Sequence, residues 1–396
     1  MAKDNSKEPE VRSQKSEFLP EDDTASCFRL PASINFIMKH PIYLLALLFF
    51  IDSCSGPPKQ LPGKLDVLFS SQVKPDGPGA SVLIMKGDSV IFSKSYGLAD
   101  LDTKKPVTGK TLFNLGSISK TFVMNSILML RDDGKLSLED SLIKYFPEFK
   151  NKDIARKVKI KHLLTHSSGL PDIRPVEQQR EFYLTANDAD NWAPVTQADS
   201  LIFEPGTSYE YSNPAFNGLA LIIEKVSGKK WQSFVAERIF KPAGMTTSTI
   251  TDGAHPDSGV SHGYVMENGT WTELDYGEEP TFCAAGNGGV WSSTEELVKY
   301  WKALDNAVFM SASSIQESRE TKAGFIGWSW FVDSNNKTVS HTGTQGGFYC
   351  DYVTVPEKGI LYVMLANFPI DRTMLNREVL KLLGAWNDEP RTPIEL

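Results

Sequence analysis

A chain of 396 residues with 41% hydrophobic and 11% aromatic side chains can bury one large core or two ordinary ones, which excludes a disordered polymer. Its formal net charge of −8, with no basic stripe, argues against a nucleic-acid partner, because such binding needs clustered Lys and Arg to displace counterions. The four cysteines, Cys27, Cys54, Cys283 and Cys350, form no C-x-x-C pair, so no zinc ribbon, thioredoxin-like site or disulfide framework is indicated.

In chain order, a polar and charged segment (1–35) precedes Met38-Lys39-His40 and an apolar run from Ile42 to Ile51, which is too short to span a bilayer. Read from Met38, the order is basic, then apolar, then Ile51-Asp52-Ser53-Cys54. That order resembles a bacterial lipoprotein signal with Cys54 as the lipidated residue. Residues 1–54 are therefore expected to be a leader, with Met38 as an alternative start. The mature protein is expected to be exported: periplasmic or outer-membrane bound through Cys54, or secreted if Asp52 prevents lipidation. Without the leader the chain remains acidic at −6, with 35 basic against 41 acidic residues. Ser55-Gly56-Pro57-Pro58 opens a linker read as 55–64, and one folded domain is expected over 65–396.

Two β-rich runs, Ala80 to Met85 and Val90 to Tyr96, flank the turn chemistry of Lys86-Gly87-Asp88-Ser89. Helical spacing follows in Phe122, Val123, Ile127, Leu128 and Leu130, and again in Leu219, Ile222, Ile223 and Val226. Asn268-Gly269, between Tyr264-Val265-Met266 and Thr270-Trp271-Thr272, marks a hairpin inside this region. Strand patterns return at Trp328 to Val332, Lys337 to His341, Tyr349 to Val355 and Ile360 to Ala366. Strands at both ends with helices between predict an α+β fold. An antiparallel sheet from the two chain ends, flanked by helices, would carry a mostly helical insert over about 116–300.

Ser117-Ile118-Ser119-Lys120 is an S-x-x-K element, and on a helix that spacing sets nucleophile and base on one face about a turn apart. A serine hydroxyl needs a neighbour to take its proton, and a lysine does so only where burial or nearby charge lowers its pKa. The chain has five S-x-x-K copies, starting at Ser71, Ser117, Ser141, Ser227 and Ser334. Only the one at Ser117 opens a long apolar-periodic helix. Tyr211-Ser212-Asn213 is the chain's only Y-x-N, and His341-Thr342-Gly343 its only [KH]-T-G.

In this order the three elements resemble the class C β-lactamases, DD-peptidases and related esterases. Leu163-Leu164-Thr165-His166-Ser167-Ser168-Gly169-Leu170, Glu204-Pro205-Gly206 and Gly288-Gly289-Val290-Trp291-Ser292-Ser293 extend the resemblance over roughly 65–385. It implies a β-lactamase/transpeptidase-like fold and a serine hydrolase with no cofactor and no metal. Ser117 would be acylated, Lys120 and Tyr211 would share the proton, and Asn213 would hold the substrate amide. His341, Thr342, Gly343 and Thr344 would line the other wall, with the backbone N–H groups of Ser117 and Thr344 as oxyanion hole. Gly343, Gly346 and Gly347 would let substrate approach the strand edge. The substrate is expected to be a small molecule or peptide: a β-lactam, a D-amino-acid peptide or amide, or a carboxylic ester. His341 departs from the Lys of typical class C enzymes, which argues against efficient β-lactam hydrolysis. A penicillin- or peptide-sensing module that is acylated without turnover is the alternative from another class.

His166 has no G-x-S-x-G partner for a conventional triad, and a structural role satisfying loop backbone is expected for it. His162 and His166 have i, i+4 spacing but lack the Glu of H-E-x-x-H. Trp271, Trp291 and Trp328 are read as packing residues. Asn213 also reads as a turn cap before Pro214 and a helix.

Overall fold

The computed structural model describes residues 61–174, 186–250, 256–274, 285–322 and 324–387. The leader with Cys27 and Cys54, and also Cys283, lie outside them. The first helix, Leu61–Ser70, begins four residues inside the stretch read as linker. Its Leu65 and Phe69 stand one turn apart and share an apolar cluster with Leu375, Val379 and Leu380 of the Arg372–Leu382 helix. Packing of that face, rather than local propensity, carries the helix back to Leu61.

Six strands form an antiparallel sheet in the order Phe331–Asp333, Thr338–Gln345, Phe348–Val355, Ile360–Ala366, Ala80–Lys86, Ser89–Tyr96. Strands from the early and late parts of the chain pair in its interior, where Ala80 pairs with Ala366 and Lys86 with Ile360. Both central strands are buried on both faces, except for Lys86, so they read as continuous apolar runs without alternation.

The strand expected from Trp328 starts only at Phe331. Ser329 adopts a left-handed φ of 64° and gives its N–H to Leu164 O, while Trp328 N–H goes to Ser318 O. That backbone is committed before the ladder begins, and the rings of Trp328 and Trp330 go into the core. Lys337 is also left-handed, at 55°, so the next strand runs Thr338–Gln345 and carries the whole His341-Thr342-Gly343-Thr344 segment.

Between the two halves of the sheet lie the helices Ser119–Asp132, Asp188–Val195 and Asn213–Ser227, together with shorter ones. The hairpin Tyr264–Glu267 and Thr270–Glu273 turns on Asn268 and Gly269, both left-handed, as a two-residue loop requires. A further three-stranded sheet joins Phe113–Asn114, Val290–Ser292 and Thr249–Ile250. It ties the residues just before Ser117 to the segment 285–289. Residues 119–130 of the Ser119–Asp132 helix are all buried, and its polar side chains find most of their partners within the core. Asn125 donates to Tyr300 Oη at 2.6 Å, Tyr300 Oη to Thr121 Oγ1 at 3.1 Å, and Ser126 to Phe122 O at 2.8 Å.

Candidate active site

Ser117 sits in the single 3₁₀ turn Gly116–Ile118 that leads into the buried helix, and it is half-exposed where its neighbours are buried. Gly116 takes a left-handed φ of 51°, and its N–H donates to Asn114 Oδ1 at 2.8 Å, which closes the turn before the serine. Lys120, three residues on, is fully buried, with its Nζ 2.9 Å from Ser117 Oγ, 2.9 Å from Asn213 Oδ1 and 2.7 Å from Asn287 O. Burial, and then the guanidinium of Arg174, holds its pKa well below the ordinary 10.5. A neutral amine has two N–H groups and one lone pair. In that form the two carbonyl oxygens, which only accept, take the N–H groups and the lone pair faces the hydroxyl of Ser117, whereas the ammonium form donates its third N–H to Ser117 Oγ.

Ser212 caps the Asn213–Ser227 helix through Ala215 N–H, and Pro214 occupies its first turn. The cap is thus Ser212 rather than Asn213, which leaves Asn213 to meet Lys120. Tyr211 stands at the mouth, 36% exposed, with its ring 5.2 Å from Lys120 Nζ and stacked on His166 at 4.3 Å. His166 fixes this segment from beneath. Its carbonyl accepts Glu210 N–H at 2.8 Å and its Nδ1 accepts Ser212 N–H at 3.0 Å, so Tyr211 is held from both sides. Burial holds His166 neutral, with its proton on Nε2. His162 is similarly occupied, its Nδ1 accepting Lys159 N–H at 3.1 Å. No group of three or more His, Cys, Asp or Glu among the described residues is arranged to hold a metal.

The opposite wall corrects two expectations. His341 is fully buried, its Nδ1 lies 2.7 Å from Thr342 O, and burial pushes its pKa down to about 3. It therefore backs the wall as a neutral ring instead of presenting a surface to substrate. Gly343 and Gly347 stand against protein backbone. A Cβ on Gly343 would lie 1.9 Å from Leu115 O and one on Gly347 2.7 Å from Gly263 C, while Gly346 O would stand 1.9 Å from a Cβ on Gly263. Gly343 thus lets the strand pack directly on the Ser117 turn. The same contact puts a Cβ on Gly116 2.8 Å from Thr344 N, so the backbone amides of Ser117 and Thr344 are neighbours.

Thr344 is exposed at the rim, and its Oγ1 accepts Arg372 Nη2 at 2.9 Å, while Arg372 Nη1 donates to Gly343 O at 2.8 Å. Cys350, paired with Gly343 in the ladder, is buried with Sγ 3.4 Å from Asn114 O. Trp291 and Trp328 lie in the core, and Trp271 packs edge-on against Phe368 at 5.7 Å. Sequence reading missed Arg174, Asn287 and Arg372. None belongs to a motif, and each reaches the site from a segment remote in the chain.

The family model described as Beta-lactamase matches residues 65–383. Penicillin-binding protein 4* of Bacillus subtilis (strain 168) is 28% identical over 364 residues, covering 84% of this chain and 78% of that protein. Protein flp of Staphylococcus aureus (strain NCTC 8325 / PS 47) is 28% identical over 305 residues. That match takes in 73% of this chain, which spans only 59% of flp. The octameric penicillin-binding protein homologue from Pyrococcus abyssi shares the fold with a TM-score of 0.73 at 25% identity, over 81% of this chain and 77% of that one. The antiparallel sheet built from both chain ends and the match over most of the chain agree: this chain belongs to the Beta-lactamase family, whose general activity is of the serine-hydrolase type.

Proposed function

We propose that the protein hydrolyses an ester or amide through an acyl-enzyme on Ser117. The observation that carries this reading is the 2.9 Å contact of the fully buried Lys120 Nζ with Ser117 Oγ. Ser117 Oγ attacks the carbonyl carbon while its proton passes to Lys120 Nζ. The resulting oxyanion is met by the N–H groups of Ser117 and Thr344. Lys120, with Tyr211 beside it, returns the proton to the leaving group as the bond to it breaks. Water then attacks the seryl ester by the reverse proton path and frees Ser117. Asn213 and Thr342 frame the substrate between the helix and the strand.

The neutral, buried His341 supplies no cation for a substrate carboxylate, which supports an ester or amide substrate over a β-lactam. Time-resolved intact mass with an activated p-nitrophenyl ester, a D-amino-acid amide and a penicillin tests this. The adduct from the ester or amide should form and decay within the time course, and the penicillin adduct should form slowest. Adducts from all three that form and never decay would replace this reading with that of a module acylated without turnover.

A further inference from the structure

Asn287 O, one of the two carbonyl oxygens that hold Lys120, belongs to a segment with its own buried anchor. Asp188, at the start of the Asp188–Val195 helix, is buried, and its Oδ1 accepts both Gly286 N–H and Asn217 Nδ2 at 2.8 Å. Asn217 Nδ2 also donates to Asn287 Oδ1 at 3.1 Å. One carboxylate oxygen therefore fixes the 285–286 peptide directly and the Asn287 side chain through Asn217. We propose that Asp188 is a positioning residue for Lys120, acting through Asn217 and the 285–286 peptide to keep the Asn287 carbonyl against Nζ.

The chain of contacts runs from the carboxylate to the base without a gap: Asp188, Asn217, Asn287, Lys120, Ser117. Its energetic logic is that of a ligand held by a second layer of hydrogen bonds, where the outer partner fixes orientation that the inner one needs. Burying a carboxylate costs stability unless donors compensate. Here Gly286, Asn217 and the side chain of Trp231 bond to it, yet burial still raises its pKa to about 7. Glu224 is the other carboxylate that bears on it. Around Lys120 the charged and titratable neighbours are the cationic Arg174, the neutral His166 and His341, and Tyr211.

This inference rests on the acyl-enzyme reading, and the experiment separates the two. The rate of Ser117 acylation by p-nitrophenyl acetate is measured from pH 5 to 10 for the wild type, Asp188→Asn and Asp188→Ala. Asparagine keeps an oxygen for Gly286 N–H and Asn217 Nδ2, and replaces the other carboxylate oxygen with an uncharged NH2. Its rate at high pH should stay within about threefold of the wild type. Alanine removes the anchor. Its acylation at high pH should fall about 10- to 100-fold, with the concentration for half-maximal rate changed by less than about threefold. Equal losses for Asn and Ala, or an undiminished rate in Ala, would overturn the positioning role. A wild type that takes no acyl group on Ser117 would overturn the hydrolase reading and this inference with it.

Discussion

Lys120→Met should lower the rate of Ser117 acylation by about three orders of magnitude, the size expected for loss of a general base. Methionine fills the space of the buried stem without a titrating group, so circular dichroism should report an intact fold. It leaves Asn213 Oδ1 and Asn287 O without the donor they now share. The pH dependence carries the stronger information. If Lys120 must be neutral to take the serine proton, the wild-type rate falls as pH drops through the pKa of Lys120 and is level above it. Because burial and Arg174 hold that pKa well below 10.5, the acid limb should lie well below the titration range of a free lysine. A rate in the wild type that keeps climbing tenfold per pH unit up to pH 10 would contradict the deprotonated base. So would a limb that survives unchanged in Lys120→Met.

Gly343→Ala should be among the most damaging single methyl groups in the described structure. The added carbon would stand 1.9 Å from Leu115 O and 2.9 Å from its carbonyl carbon, both backbone, so no side-chain rotation relieves it. Either the Thr338–Gln345 strand or the Ser117 turn must move by about an ångström or more. The expected cost is about 2–4 kcal/mol of stability. Acylation should fall about 100-fold or more, since displacement of that order misplaces the nucleophile. Gly63→Ala, where nothing lies within 4 Å of the new carbon, is the control and should be neutral or slightly stabilising inside its helix. Thermal unfolding and the acylation rate measure both effects. A Gly343→Ala protein as stable and reactive as the Gly63→Ala one would remove the packing argument.

Much of this arrangement was written locally. The i, i+3 spacing of Ser117 and Lys120, the Ser212 cap with Pro214, and the Asn268-Gly269 turn are local choices that tertiary structure leaves alone. What sequence could not show is set by contacts distant in the chain. The strand expected at Trp328 fails because Ser329 and Trp328 bond to Leu164 and Ser318, which no window around 328 contains. The sheet of Phe113–Asn114, Val290–Ser292 and Thr249–Ile250 has strands too short for a periodicity to register. His341 and Gly343 were identified as cleft residues from their motif, but their burial, and the Leu115 carbonyl against Gly343, appear only once strand and turn are packed. Asp188 stood inside a helix-capping pattern, which accounts for an acidic residue there without any need for a site.

The central claim is that Ser117 is the nucleophile, and covalent labelling tests it most directly. Wild type and Ser117→Ala are mixed with a fluorophosphonate and followed by intact mass, with peptide mapping of any adduct. The account predicts one equivalent on the wild type, located at Ser117, and none on Ser117→Ala. An adduct on both proteins, or on neither, would contradict it.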